Sequence, residues 1–198
     1  MIRDHKQGKV ILKKWEINTV LNTLDKEIEK LFSHTEEELF TSFTLDSKGN
    51  KIGFYKDEKG QTYLLRKNLR DAIRAVKYLE TGSKVIFINT HNGKAATKHK
   101  FLNDNSEIIY RYDSDFKIKE ILSFNADASI FRTSLTPFGE LTEIYNSSSK
   151  KSKTFYVKSK QEVALINIDD EGNLVQKGTK TLLKYLRRKF AKELINTK

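Results

Sequence analysis

The sequence predicts an α+β protein: a curved antiparallel β-sheet, built as a meander with hairpins, flanked by an N-terminal helix, a central basic helix and a C-terminal basic helix. Three observations carry that reading. Short β-prone segments recur at hairpin spacing between residues 43 and 177. Stretches near 17–32, 68–80 and 179–196 switch to helical periodicity, and turn residues rather than crossover-length linkers separate the segments. At 198 residues the chain reads as one domain, with a helical part over about 1–42, a mainly β part over about 43–177 and a terminal helix over about 178–198.

From Ile17 to Phe32, apolar residues Ile17, Val20, Leu21, Leu24, Ile28, Leu31 and Phe32 return every three or four positions, the stripe of one helix face. Asn18 or Thr19 is placed to cap this helix, and Asp25, Lys26, Glu27 and Glu29 fall on its solvent side. Thr35 followed by Glu38 has the form of a capping box for a second short helix. The stretch from Phe43 to Leu65 then breaks into three β-prone pieces at Ser-Lys-Gly-Asn and Asp-Glu-Lys-Gly. A helix is predicted from about Asn68 to Glu80, with Leu69, Ala72, Ile73, Val76 and Leu79 inward and Gly82 ending it. Its other face would gather Arg66, Arg70, Arg74 and Lys77.

Asn92-Gly93 between β-rich flanks is a hairpin signal, since both central residues of a type I′ turn need positive φ. That centring pairs His91 with Lys94, Asn89 with Ala96, Phe87 with Lys98 and Val85 with Lys100 on one face. Ile86, Ile88, Thr90, Ala95, Thr97, His99 and Phe101 then form the face expected to enter the core. Seven further strands follow between Glu107 and Val175, and the sole proline, Pro137, lies in a turn between two of them. The segment from Asn146 to Lys153, rich in serine and lysine, reads as the mobile loop. The strands resemble one another, but no fixed period emerges that defines a repeat family. In the terminal helix, Leu182, Leu183, Leu186, Phe190 and Leu194 face one way, and Lys180, Lys184, Arg187, Arg188 and Lys192 the other.

Composition bounds the chemistry. The absence of cysteine removes disulfides, zinc–thiolate sites, iron–sulfur clusters and a cysteine nucleophile together. Charges scattered through the first thirty residues predict no signal peptide, and no uncharged run approaches the roughly 18 to 20 residues that span a bilayer. The expectation is a soluble protein without membrane contact, cytoplasmic or carried in a virion. A net charge of +11 and a pI near 9.6 attract polyanions at long range, although abundant Lys, Asn and Ile also fit an AT-rich genome.

Candidate catalytic constellations are thin. His91 and His99 fall on opposite faces of the hairpin and cannot readily share a metal ion. Asp104, Asp115 and Lys117 have the residue types of a two-metal nuclease, but Asp113-Ser114-Asp115 reads better as a turn. No P-loop, dinucleotide fingerprint or serine elbow is present. The expectation is therefore a protein that is not an enzyme and carries no cofactor or metal. What survives is three basic stripes: Arg66, Arg70, Arg74 and Lys77; Lys94, Lys98 and Lys100; and Lys180, Lys184, Arg187, Arg188 and Lys192. They could follow phosphates of DNA or RNA, dock acidic protein subunits, or simply be solvated. Size, composition and the irregular sheet are compatible with a small phage-encoded virion or assembly protein, with a stand-alone nucleic-acid binder as the alternative and a small nuclease as the second.

Overall fold

A computed structural model describes residues 21–90, 96–145, 152–159 and 162–195. Thirteen strands lie among the described residues with four short helices, so the protein is mainly antiparallel β and matches the α+β class only loosely. Two compact units form, one from residues 24–127 and the other holding residues 128–195 of the described chain. Among the described residues no helix is long and apolar enough to cross a membrane.

The first unit opens with α1 (Lys26–Phe32) and α2 (Glu36–Leu39). Eight strands follow: β1 (Phe43–Leu45), β2 (Lys51–Lys56), β3 (Thr62–Lys67), β4 (Ile73–Tyr78), β5 (Lys84–Asn89), β6 (Ala96–Phe101), β7 (Glu107–Tyr112) and β8 (Ile118–Phe124). Each pairs antiparallel with its chain neighbour. One sheet face carries Leu65, Ala75 and Phe87, all fully buried, and Ile28, Leu31 and Leu39 of the helices are buried with them. Gly53 belongs to that face because a Cβ there would stand 2.7 Å from the Ser42 carbonyl oxygen and against the Phe40 ring.

Local chemistry explains the turns. At Asp46, Asp57, Asn68, Leu79, Leu102 and Asp113 the backbone N–H and C=O of one residue close a three-residue loop, and the third loop residue has positive φ. They fall in two runs of eleven-residue steps: 46, 57, 68 and 79, then 102 and 113 after the next hairpin. In the aspartate and asparagine cases the side chain also accepts from backbone N–H groups two and four residues on. Asp169 closes the same loop in the second unit.

Three expectations for this unit need correction. The helix placed over 68–80 is a turn followed by β4, because the Asn68 side chain and the positive φ of Asp71 make a loop that outweighs the helical spacing of the apolar residues. Gly82, expected to stop that helix, occupies the loop before β5 instead. The first helix begins at Lys26, and its cap is Asp25, whose carboxylate accepts from the Glu27 and Ile28 N–H groups; Ile17, Asn18, Thr19 and Val20 lie outside the described residues. The β5–β6 register is the predicted one, with Val85 opposite Lys100, Phe87 opposite Lys98 and Asn89 opposite Ala96. Its inward face is not. Val85 and Phe87 are deeply buried on the side the helices meet, while on the face expected to enter the core Ile86 is buried but Ile88, Thr97, His99 and Phe101 are only half-buried. His91, Lys94 and the Asn-Gly turn lie outside the described residues, as does most of the serine-lysine loop.

The second unit runs through β9 (Ile130–Thr136), β10 (Gly139–Tyr145), β11 (Lys153–Lys158), β12 (Val163–Ile168) and β13 (Leu174–Gly178). All pair antiparallel in chain order, with Pro137-Phe138 in the tight turn between β9 and β10. Leu141, Phe155, Val157, Ala164 and Ile166 make its buried face, covered by Leu182, Leu186 and Phe190. Phe155 and Phe190 stack with ring centroids 3.8 Å apart. The terminal helix is α3 (Lys180–Lys189), and a break at Phe190 separates it from α4 (Ala191–Leu194), so the single helix expected over 179–196 is two pieces.

Candidate polyanion interface

The basic side chains of the first unit divide between the two faces of its sheet, and the division decides what each can do. On the face that α1 and α2 meet, Lys98 donates to Glu27 Oε2 at 2.7 Å and Asp25 Oδ2 at 3.1 Å. Lys77 bonds the other oxygen of Glu27, and Lys51 and Lys67 both bond Glu36. The Tyr112 hydroxyl donates to Asp25 Oδ2 at 2.7 Å. Asp25 and Glu27, read from sequence as solvent-side residues, are thus the acids that seat α1 on a basic row of the sheet. Burial by itself would raise the carboxyl of Asp25, but the Tyr112 hydroxyl and the Lys98 ammonium outweigh it and hold the carboxyl below its usual range. The Lys77 and Lys98 ammoniums also lie over the Phe87 ring, at 5.8 and 5.5 Å from its centroid.

These contacts dissolve two of the expected stripes. Lys77 and Lys98 are internal ion-pair partners, with side chains 14% and 15% exposed, and are poorly placed to meet a polyanion. Lys100 is half-buried on the same face, and Lys94 lies outside the described residues. Arg66, Arg70, Arg74 and Lys77 share no helix: Arg66 is on β3, Arg70 in the turn, and Arg74 and Lys77 point to opposite faces of β4.

On the opposite face Arg66 stands directly across from Arg74. With Lys48 and Arg70 from the adjoining turns they line an open concavity of about 600 Å³, floored by Ala72 and Ile88. Arg66 Nη2 reaches Asp46 Oδ2 at 2.8 Å. The Asp46 side chain is only 20% exposed, and Asn50 side-chain and backbone donors, then the Lys48 N–H and Arg66, hold its carboxyl down at about 2.

In the second unit the predicted stripe forms. Lys180, Lys184, Arg187 and Arg188 lie within one arc of α3, all exposed, opposite buried Leu182 and Leu186. Lys192, also exposed, follows the break. Arg187 Nε donates to Gln176 Oε1 of β13 at 2.7 Å, which fixes one guanidinium against the sheet. Lys180, Lys184, Arg188 and Lys192 have no acidic partner among the described residues. The first turn of α3 holds no acid and Thr179 makes no side-chain cap bond, so Lys180 opposes the positive end of the helix dipole. Helix stability therefore does not account for a cation at that end.

The remaining candidates are not brought together. His99 Nδ1 bonds Glu107 Oε1 at 2.7 Å, and His34 sits between the Lys30 carbonyl and the Tyr55 hydroxyl. Asp104 lies in the turn before β7, and Asp115 and Lys117 in the turn after it, at opposite ends of that strand. Among the described residues no group of three His, Asp or Glu side chains could hold a metal ion. The ion pairs that seat α1 had a visible signal, acids at Asp25 and Glu27 and lysines alternating along strands, but nothing in sequence joined residues some seventy positions apart. No family model matches the chain, and no curated protein matches it.

Proposed function

We propose that the protein is a non-enzymatic assembly subunit, of the kind a phage virion uses, that meets an acidic protein neighbour or packaged nucleic acid through the basic stripe of α3. One observation carries this reading: four cations on one arc of a helix stand exposed without acidic partners among the described residues, whereas Lys51, Lys67, Lys77 and Lys98 of the first unit's helix-covered face are held by Asp25, Glu27 and Glu36. A solvated lysine-rich surface needs no such ordering, and Lys180 sits where the helix dipole disfavours it. Such a subunit needs no cofactor and no membrane, and works in the cytoplasm or the particle.

The test is solution mass measurement of the purified chain together with a nucleic-acid titration at two salt concentrations, repeated on Lys184→Glu/Arg188→Glu. The assembly reading expects species larger than a monomer, alone or with nucleic acid, that the double variant loses. A monomer that binds DNA tightly, with steep salt dependence and no protein partner, would defeat it in favour of a stand-alone binder.

A further inference from the structure

The concavity on the open face of the first unit is built from groups that do not satisfy one another. Arg66 and Arg74 oppose each other directly across β3 and β4, and like charges in that relation destabilise a strand pair. Asp46 answers only Arg66, and its two oxygens are already shared with the Asn50 side chain and with the Lys48 and Asn50 N–H groups. The guanidinium groups of Arg70 and Arg74 have no hydrogen-bond or ion-pair partner among the described residues. Both are exposed, Arg70 within the three-residue loop held by Asn68 and Arg74 on β4 just after it.

Two further features narrow what could fill the space. The floor, from Ala72 and Ile88, is apolar, and Leu69 stands at the mouth with 78% of its surface exposed. A cavity of about 600 Å³ is far larger than a bare anion and falls in the size range of small-ligand sites. Guanidinium forks match the oxygens of a phosphate in a way ammonium groups do not.

We propose that this concavity binds a nucleoside phosphate, the phosphate between Arg66, Arg70 and Arg74 and the base and sugar against Leu69, Ala72 and Ile88. A free nucleotide and one nucleotide of a single strand present the same recognition chemistry. The inference shares with the reading above only the idea of an anionic ligand, and it concerns a different unit.

The experiment is amide chemical-shift mapping of the full chain during titration with adenosine monophosphate, adenosine, and a short oligothymidylate. Saturable shifts are expected over residues 46–50 and 66–74 with the nucleotide and not with adenosine. Arg70→Ala/Arg74→Ala weakens binding by about a hundredfold, since each lost charge-assisted hydrogen bond removes around a factor of ten. Arg70→Lys/Arg74→Lys restores only part, because the fork is gone. Both positions are exposed, and an unchanged spectrum away from the site confirms that the variants fold. An oligonucleotide that competes with the nucleotide and binds more tightly assigns the strand as the source; one that binds no more tightly assigns the free nucleotide. Shifts that fail to saturate, map elsewhere, or persist unchanged in the alanine variant overturn the proposal. Lys184→Glu/Arg188→Glu separates the two readings: it should leave these shifts intact, whatever it does to assembly.

Discussion

Lys98 occupies the middle strand of a buried sheet face and yet keeps its charge, because two carboxylates and an aromatic ring replace the water it has lost. Removing it leaves Asp25 and Glu27 half-buried without their shared cation. Lys98→Ala should therefore lower stability by about 3 kcal/mol in urea unfolding. Glu58→Ala, which breaks the exposed pair with Lys30, should leave the midpoint unchanged. The same cluster sets a pH dependence. The carboxyls of Asp25 and Glu27 are held below their usual 3.8 and 4.5, so the stability they contribute is present above those values and lost as pH falls through the depressed ones in the folded state. Urea midpoints measured from neutral pH down to pH 3 should fall through this window. Asp25→Asn should flatten the fall while starting from a lower plateau. At this scale the sequence displayed the charges but not their pairing, since Asp25 and Lys98 meet only after six strands have been laid side by side.

The repeated three-residue loop is the element that organises the first unit. Asn68 holds the place in it that Asp57 and Asp46 hold one and two steps earlier, and its side chain makes the same pair of backbone bonds. Asn68→Ala should cost about 1 kcal/mol, read as a lower urea midpoint, because the loop donors then lose their acceptor. The eleven-residue interval was present in the sequence and would have identified β4. Leu69, Ala72, Ile73, Val76 and Leu79 also satisfied a helical stripe, and spacing alone could not choose between them. At the other end of the chain, Gly178 closes β13 with φ at +126°, and a Cβ there would stand 2.3 Å from the Val163 carbonyl oxygen. Gly178→Ala should cost about 2 kcal/mol or more, since backbone strain and a backbone clash coincide. Amide exchange should show the loss in β12, β13 and α3. The seven strands from Glu107 onward, by contrast, were legible, because each is short, β-rich and bounded by turn residues.

Across the whole molecule the net charge of +11 is distributed unequally in its availability. Polyanion binding should weaken with salt, and the slope should respond to reversal at Lys184 and Arg188 but not to Lys77→Met, whose ammonium is committed to Glu27. Measurement of the salt slope for the two variants side by side checks this. A far-UV circular dichroism spectrum should be dominated by strand signal, since the described helices are short. The sequence by itself determined that the chain is an antiparallel hairpin succession, that β5 and β6 pair in one register, and that α3 is basic on one side and apolar on the other. All three follow from turn chemistry and residue alternation within a few positions. Only the tertiary structure decided which sheet face α1 covers, and therefore which lysines are internal partners and which cations stay available. That choice rests on Asp25, Glu27 and Glu36 meeting strands far along the chain, where burial strengthens the attraction between opposite charges and no local pattern records it.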